Sequence, residues 1–537
     1  MPNVLRFFVF PAVLVSALIS CAVPTDRPRL VLYVSIDQLR GDYFERYQSE
    51  FTGGFRRLVT AGVNFTNADL NYAASETGPG HATLGTGAYP ATSGIVSNEW
   101  IDPRTRREVY CVEDSTAEPV EGYGGGFSAR NLLVTGLGDW LKASSPKSKV
   151  FSLSPKDRGA ILMGGKHPDG AFWYDRKAGR FVTSTYYTRR LPSYVRSLDV
   201  SEWIEKNVPP SWEKLMPESV YAKYGPDEMG GEAKWQDDSS FPHPFDQENI
   251  KEQIRTSPYV DVLLLDLARE VINAEELGQR DVTDLLCISL SGCDYVGHAF
   301  GPNSHEVLDY LLRIDQALGA FLDDVERRVG KDAVLVVMSA DHAVQMLPEY
   351  AKTIGNERSR RIIFRRDLQP KIAALAAASR KELGLLESPV QQNAFLNYEA
   401  AARVGIDSVT LEQSVKRSLL TIDGIEDVYF RRDMTSRENV SSYLDKYQRS
   451  YYAPRGKDFY VRFCEDCLIT SSPTGSTHGS PYRYDTHVAM VFWGAGLQSK
   501  TVTREVHTVD VAPTIAKLLG ITYPSTVDGI PLPEVTN

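Results

Sequence analysis

Five short stretches of almost uninterrupted hydrophobic residues divide the chain. They are 30–36 (LVLYVSI), 149–154 (KVFSLS), 284–291 (DLLCISLS), 333–340 (AVLVVMSA) and 487–496 (HVAMVFWGAG). Runs of this kind, rich in β-branched residues, are typical of strands that are buried on both faces, as in a parallel sheet. The pattern therefore predicts five strands of one buried sheet.

Segments with helical periodicity lie between these runs. Residues 307–329 and 509–519 place apolar side chains three and four positions apart, as expected for helices with one buried face. Strands that alternate with helices predict an α/β fold with a central, mostly parallel sheet flanked by helices. In such sheets ligands bind at the carboxyl ends of the strands, so polar residues directly after each strand should carry the chemistry.

Two segments break this alternation. Residues from about 165 to 250 are rich in Tyr, Trp, Pro and charge, and residues from about 355 to 475 contain RSRRIIFRRDLQPK and YLDKYQRSYY. A length of 537 residues alone suggests several domains. We interpret the chain instead as one catalytic domain, 28–537, in which both segments are insertions that form lids or a small subdomain.

Composition and charge narrow the class of protein. Hydrophobic residues make up 42% and charged residues 24%, which excludes a disordered, collagen-like or coiled-coil chain. The net charge of −10 provides no basic field, so nucleic acid is not expected as the main partner. The Arg-rich stretch 358–366 is interpreted as a solvated face rather than a nucleic-acid patch.

The first 21 residues are predicted to be a signal peptide. Arg6 precedes an apolar run of thirteen residues, Phe7–Ile19, which is too short to span a bilayer. We therefore expect export to the periplasm. The ending Ser20-Cys21 resembles a lipoprotein cleavage box, in which the Cys is lipidated; a plain cleavage site without a lipid tether is the alternative.

The cysteines fit an exported protein. Cys464 and Cys467 form a lone CxxC, for which a local disulfide is favoured over a metal knuckle because no second pair has zinc-ribbon spacing. Cys287 lies inside a predicted strand and is expected in the core. The pairing of Cys111 and Cys293 stays open.

Acidic and histidine side chains gather at the predicted strand ends. Asp294 and His298 are four residues apart, so they share one face of a helical turn. Carboxylates with imidazoles suit Zn²⁺ more than Mg²⁺, and six ligands divide into two sites of three, each with a position open for substrate. The candidate ligands are Asp37, Asp294, His298, Asp341, His342 and His478.

Candidate catalytic residues accompany these ligands. Thr77 precedes Gly-Pro-Gly at a predicted turn into a helix, where a metal would activate its hydroxyl; a plain helix N-cap is the alternative. Asn98 can donate an amide N–H to a substrate oxygen; a plain turn residue is the alternative. Lys156 and Arg158 are expected on one face of an extended segment, where they would bind phosphate; a surface basic pair beside Asp157 is the alternative.

Seven motifs in this order resemble the zinc-dependent bacterial alkaline phosphatases of the PafA or PhoK type. That group belongs to the alkaline phosphatase superfamily and is close to the nucleotide pyrophosphatases/phosphodiesterases. The motifs extend over almost the whole mature chain. They are VSIDQLRGDY (34–43), TGPGHATLGTG (77–87), SNEW (97–100), SPKDRGAI (154–161), DYVGHAFGPNS (294–304), SADHA (339–343) and THGSPYRYDTHV (477–488).

The resemblance implies two zinc ions per chain and a phosphorylated Thr77 as intermediate. It places Asn98, Lys156 and Arg158 on the phosphoryl oxygens. One zinc would be bound by Asp37, Asp341, His342 and Thr77, and the other by Asp294, His298 and His478.

Formal charge favours a phosphate monoester as substrate. Two zinc ions, the three aspartates, Lys156, Arg158 and a Thr77 alkoxide together carry +2, which matches a monoester dianion better than a diester monoanion. We expect a monomer that hydrolyses small-molecule monoesters. The alternatives are a phosphodiesterase or nucleotide pyrophosphatase and, from another class, a non-catalytic metal-binding surface lipoprotein. A sulfatase is disfavoured because the C/S-x-P-x-R motif is absent.

Overall fold

The computed structural model describes residues 27–378, 386–388, 395–436 and 441–536. Its centre is a ten-stranded sheet. The strands are β1 Leu30–Ile36, β2 Val63–Asp69, β3 Val150–Ser154, β4 Gly170–Asp175, β5 Arg180–Val182, β6 Asp284–Leu290, β7 Val334–Ser339, β8 His487–Gly494, β9 Lys500–Val502 and β10 Val506–His507.

The order across the sheet is β9-β2-β8-β7-β1-β6-β3-β4-β5, and β10 pairs with β2. The neighbours β7, β1, β6, β3 and β4 run parallel, whereas β8 is antiparallel to both β7 and β2. Every residue of β1, β3, β6 and β7 is buried, which explains their continuous hydrophobic sequences. The α/β fold with a mostly parallel central sheet is therefore confirmed.

Helices cover the sheet and supply residues at its carboxyl edge. The longest, over 305–329, begins at a Ser304 side chain that accepts a hydrogen bond from the backbone N–H of Val307. The main helices are α1 Gly54–Ala61, α2 Thr77–Thr86, α3 Leu137–Ser144, α4 Asp157–Gly164, α5 Tyr259–Ala274, α6 Gly292–Phe300, α7 His305–Val329 and α8 Val511–Leu518.

The segment 165–250 is divided between sheet and surface. Strands β4 and β5 extend the central sheet at one edge, and the rest of the segment packs through short elements against α5 and α7. These elements are Ser193–Arg196, Val200–Asn207, Ser211–Trp212, Glu218–Tyr221 and His243–Pro244.

Within residues 355–475, a second hydrophobic cluster forms apart from the main core. Its buried side chains include Phe364, Leu411, Val415, Val428 and Phe459. The surrounding elements are Arg360–Ile363, Gln369–Ala378, Leu386–Ser388, Phe395–Leu396, Tyr398–Arg403, Ser408–Leu419, Ile425–Phe430, Arg431–Thr435, Ser442–Ser450, Phe459–Phe463 and Cys467–Thr470. We refer to residues 360–470 as the small subdomain.

Cys464 and Cys467 form a disulfide at the edge of the small subdomain. Cys111, Cys287 and Cys293 are buried free thiols, and Cys287 lies in β6 as expected. The expected signal peptide and Cys21 lie outside the described residues. Among the residues that the structure describes, no helix is both long enough and apolar enough to cross a membrane.

Candidate two-metal active site

Three parallel strands bring the acidic residues to one edge of the sheet. Strand β1 lies between β6 and β7, so their carboxyl ends are neighbours. Asp37 directly follows β1, and its backbone N–H donates to the carbonyl of Leu290 at 2.8 Å. Asp294 lies in the first turn of α6 after β6, and Asp341 lies in the loop after β7. Strand order alone therefore brings the three carboxylates together.

Asp37, Asp341 and His342 form the first triad, and all three are completely buried. Each contributes one ligand atom to a cluster in which these atoms lie within 4.8 Å of one another. His342 Nε2 is 3.3 Å from Asp37 Oδ1 and 3.5 Å from Asp341 Oδ2. This compact N/O set has the dimensions of a metal site.

Asp294, His298 and His478 form the second triad, with the same 4.8 Å limit on their ligand atoms. His298 Nε2 lies 3.1 Å and His478 Nε2 3.6 Å from Asp294 Oδ1. Helix α6 supplies the first two residues one turn apart, and His478 comes from the loop before β8. The rings of His478 and His342 stack with centroids 3.6 Å apart, so the two triads are direct neighbours.

Backbone carbonyls orient all three imidazoles. His298 Nδ1 faces the carbonyl of Ser476 at 2.8 Å, His478 Nδ1 that of Ser75 at 2.7 Å, and His342 Nδ1 that of Ala343 at 3.0 Å. In a neutral imidazole the Nδ1–H then donates to the carbonyl, and the Nε2 lone pair points at the carboxylates. This is the tautomer that metal-binding histidines use.

The first triad has no counter-charge between its own ligand atoms. Asp37 Oδ1 and Asp341 Oδ2 are buried without a hydrogen-bond partner among the described residues, and the atom that faces both is the His342 Nε2 lone pair. Three electron-rich atoms would repel one another in a buried site unless a cation lay between them. The donor set of the first triad therefore fits a metal ion, and the second triad offers the same kinds of donor atom in an equally compact cluster.

The pKa shifts favour the neutral form of His342 and His478, whereas for His298 burial, which lowers the pKa, is outweighed by Asp294, which raises it. Burial lowers the pKa of His342, and burial together with His342 and His298 lowers that of His478. Burial opposes ionisation of Asp341, but His342 and His81 outweigh it and lower its pKa. Burial and the neighbouring Asp294 and Asp341 raise the pKa of Asp37. Concentrated negative charge of this kind favours a bound cation.

Thr77 is the first residue of α2, with Glu76 at the N-cap position in an extended conformation. Thr77 Oγ1 lies 3.5 Å from His342 Nε2, beside the first triad. The helix must pass close to Asp341, since a Cβ built on Gly80 would lie 2.3 Å from the Asp341 carbonyl oxygen. The Gly-Pro-Gly sequence thus lets the helix start approach the triad, with the Thr77 hydroxyl at its end.

Two basic side chains lie next to Thr77 and the triads. Arg158 Nη2 is 3.4 Å from Thr77 Oγ1. Lys156 Nζ is 2.6 Å from Asp37 Oδ2 and 2.5 Å from Asp294 Oδ2, so it joins an aspartate of each triad. The pair does not lie in an extended segment as expected: Lys156 is the N-cap of α4 and Arg158 is in its first turn. Tight turning after β3 brings both side chains to the site.

Asn98 is held beside the start of α2 by two hydrogen bonds. Its Oδ1 accepts from the backbone N–H of Gly78 at 2.7 Å, and its backbone N–H donates to Glu76 Oε2 at 2.7 Å. With Oδ1 engaged in this way, the two N–H groups of the side-chain amide remain available as donors. Thr77, Asn98 and Arg158 line one cavity together with the second triad.

Sequence reasoning missed two residues of this site. Gln38 donates from Nε2 to Asp294 Oδ1 at 2.7 Å and from its backbone N–H to Asp341 Oδ1 at 3.2 Å. His81 Nδ1 lies 3.2 Å from Asp341 Oδ2, and His81 Nε2 lies 2.8 Å from Ser289 Oγ. The available signal for Gln38 was its position directly after the candidate ligand Asp37.

The family model for type I phosphodiesterase/nucleotide pyrophosphatase matches residues 31–408. The chain is 32% identical to alkaline phosphatase PafA of Elizabethkingia meningoseptica, covering 96% of this chain and 95% of that protein. It is 34% identical to alkaline phosphatase PhoV of Synechococcus elongatus, covering 93% and 91%.

A crystal structure of wild-type alkaline phosphatase PafA has a TM-score of 0.89 to this fold at 31% identity, covering 96% of this chain and all of that one. Sequence and architecture thus agree over nearly the full length, and the family model covers residues 31–408. The chain belongs to the type I phosphodiesterase/nucleotide pyrophosphatase family, among the alkaline phosphatases of the PafA, PhoV and PhoK type.

Proposed function

We propose that this protein is an alkaline phosphatase that hydrolyses small-molecule phosphate monoesters with two Zn²⁺ ions and a phosphothreonine intermediate at Thr77. One observation carries the proposal. The Thr77 hydroxyl lies between a buried metal triad, 3.5 Å from His342 Nε2, and the guanidinium of Arg158, 3.4 Å away. A nucleophile that has candidate metal ligands on one side and a phosphate-binding guanidinium on the other suits phosphoryl transfer.

The ligand chemistry supports zinc. Neutral imidazole and carboxylate donors in sets of three are characteristic of catalytic zinc sites, which keep a position open for substrate. Zinc held by these triads would act as a Lewis acid, favouring the deprotonated Thr77 hydroxyl and stabilising negative charge on the departing oxygen. Asp37, Asp341 and His342 would hold one ion, and Asp294, His298 and His478 the other.

The residues of the chain perform two displacements in this proposal. The oxygen of Thr77 forms a bond to phosphorus while the bond from phosphorus to the ester oxygen breaks and the alcohol leaves. Water then attacks the phosphothreonine, which releases inorganic phosphate and restores Thr77. Arg158 and the Asn98 amide donate to the phosphoryl oxygens in both steps.

Lys156 contributes in a second way. Two of its three ammonium N–H groups face Asp37 and Asp294, so one N–H remains for a phosphoryl oxygen. The ammonium also offsets the negative charge that two aspartates place at the junction of the triads. Lys156 would therefore both hold the triads together and bind substrate.

The preference for monoesters over diesters rests on charge. Lys156 and Arg158 raise the formal charge of the loaded site to +2, which matches a monoester dianion. A phosphodiesterase is the second candidate, since the matching family model is described by that activity. Comparing kcat/KM for an aryl monoester and a bis-aryl diester separates the two, and a larger value for the diester would favour the second candidate.

Trapping of the phosphorylated enzyme tests the mechanism. Acid quenching during turnover of a labelled monoester, followed by peptide mapping, should place the phosphate on Thr77. Thr77→Ala should lose both label and turnover, whereas Thr105→Ala, an exposed control, should keep both. A label on any other residue contradicts the proposed intermediate.

Metal content tests the cofactor. Two zinc ions per chain are expected in the purified protein, and less than one would favour a metal-binding surface protein without catalysis.

We further propose that residues 1–21 direct export to the periplasm, with a lipid on Cys21 as the alternative to a free protein. We also propose that the enzyme acts as a monomer. Mass spectrometry of the mature N-terminus and sedimentation measure these properties.

A further inference from the structure

A cavity of about 540 Å³ extends from the catalytic residues to the small subdomain. Thr77, Asn98 and Arg158 line one end together with the second triad. Residues of the small subdomain, among them Lys457 and Tyr460, also line the cavity. The volume lies in the range of sites that bury a complete small molecule, so it has room for more than a phosphoryl group.

Several aromatic rings line this cavity, among them two pairs of tyrosines. Tyr447 and Tyr460 have ring centroids 6.0 Å apart, and Tyr482 and Tyr484 are 5.6 Å apart. Trp100, from the SNEW motif, lines the same cavity. Rings at these separations offer flat apolar surface with polar edges, which suits another ring.

Tyr447 and Tyr460 are held in place by the backbone of the small subdomain. The Tyr447 hydroxyl donates to the carbonyl of Val461 at 3.5 Å, and the Tyr460 hydroxyl accepts from the backbone N–H of Lys457 at 3.4 Å. Tyr447 is on the helix 442–450, and Tyr460 is on the strand 459–463. Two separate elements thus form one preorganised surface, which reduces the entropy lost when a ligand binds.

These tyrosines share a cavity with the nucleophile. Glu76 and Thr77 line the same cavity as Lys457, Tyr447 and Tyr460. Glu76 in turn holds Asn98 through its backbone N–H at 2.7 Å. A monoester with its phosphoryl group at Thr77 would therefore extend its alcohol portion toward the tyrosines.

We propose that this cavity is a binding subsite for the alcohol portion of the substrate, and that it selects phosphate monoesters of ring-bearing alcohols. The inference rests on the proposed phosphomonoesterase function and adds a substrate class to it. Tyr447 and Tyr460 are the specificity-determining residues, since they contribute ring surface from the small subdomain.

Two substrates that differ in one ring test the subsite. Ethyl phosphate and 2-phenylethyl phosphate have leaving alcohols of similar reactivity, so the ratio of their kcat/KM values reports the contact made by the ring. The wild-type ratio should favour 2-phenylethyl phosphate. Tyr460→Ala and Tyr447→Ala should each reduce that ratio by about threefold to tenfold, the usual worth of an aromatic contact.

Two further variants separate ring contact from general damage. Tyr460→Phe keeps the ring and should retain most of the wild-type ratio. Tyr452→Ala removes a tyrosine from the same segment that does not line the cavity, so its ratio should equal that of the wild type. Inhibition by 2-phenylethylphosphonate relative to ethylphosphonate measures the same preference as binding, without any chemical step.

The outcomes distinguish the subsite from the proposed function. A wild type that hydrolyses both esters with no preference for the ring, or folded Tyr447 and Tyr460 variants with the wild-type ratio, would overturn the subsite and leave the phosphatase intact. A wild type that hydrolyses neither ester would contradict the proposed function, and the phosphonates would then still report whether the cavity prefers the ring. Should Tyr460→Ala fail to fold, the ratio measured for Tyr447→Ala distinguishes these outcomes.

Discussion

Gln38 joins the two triads, and its substitution should affect one of them selectively. The residue follows Asp37, is completely buried and has a left-handed backbone with φ of 70°. Its side chain donates to Asp294 Oδ1 at 2.7 Å, whereas only its backbone N–H contacts Asp341 Oδ1. Gln38→Leu removes the side-chain donor, keeps a similar volume and leaves the backbone contact in place.

The expected magnitude follows from that single bond. A hydrogen bond to a charged group contributes about 1.5–3 kcal/mol, and partners that orient metal ligands typically account for about 10- to 100-fold in metal affinity. The loss falls on Asp294 alone. Zinc affinity of the Asp294–His298–His478 triad should therefore decrease by about 10- to 100-fold, while the triad of Asp341 keeps its affinity.

Competition with a chromogenic zinc chelator measures the two affinities in one titration. Gln48→Leu, on an exposed glutamine ten residues away, is the matched control and should show two wild-type sites. Circular dichroism establishes that both variants are folded. Two sites of wild-type affinity in Gln38→Leu, or equal weakening of both, would refute the reasoning, because either result excludes a selective role of the amide.

Three other substitutions have defined expected results. Arg158→Ala should lower kcat/KM for a monoester by about 10- to 100-fold and for a diester by less. The reason is that the substitution removes charge-assisted hydrogen bonds to the additional anionic oxygen of the monoester. Steady-state kinetics that show equal losses for both substrates would contradict this prediction. Gly80→Ala places a Cβ 2.3 Å from the Asp341 carbonyl oxygen and should cost about 1–3 kcal/mol in urea denaturation, whereas Gly230→Ala meets only ordinary contacts and should cost less. Burial raises the pKa of Asp261 from 3.8 to about 6, so between these pH values the folded state binds a proton that the unfolded state has released. The stability contribution of Asp261 then falls as pH rises through this window, and Asp261→Asn should gain stability relative to wild type from pH 4 to 6; a constant difference in urea titrations would disagree.

Much of the fold could be predicted because buried strands are encoded locally. The five hydrophobic runs correspond to β1, β3, β6, β7 and β8, with ends that differ by at most two residues. The hydrophobic pattern of the sequence did not indicate the direction of each strand. A strand buried on both faces has a continuous hydrophobic sequence in either orientation, so the antiparallel pairing of β8 came only from the structure.

The residues of the candidate site could also be predicted only in part from the sequence. Motif spacing pointed to the six ligands and Thr77, and Asp37, Asp341 and His342 lie within three residues of a strand end. Lys156 was expected to bind only phosphate, but it also joins Asp37 and Asp294, which are far away in sequence. Its place at the start of α4, rather than in an extended segment, depends on how the chain turns after β3.

By itself the sequence determined the chemistry that is present: which residues can bind metal, which can attack phosphorus, and which strands place them at one edge. The tertiary structure decided how those groups are arranged. Because β1 lies between β6 and β7, Asp37 has an aspartate on either side, and packing alone sets its distances to His342 and Lys156. The same packing places the small subdomain, with its tyrosines, against the cavity that begins at Thr77. Such contacts join residues hundreds of positions apart, so no local pattern in the chain specifies them.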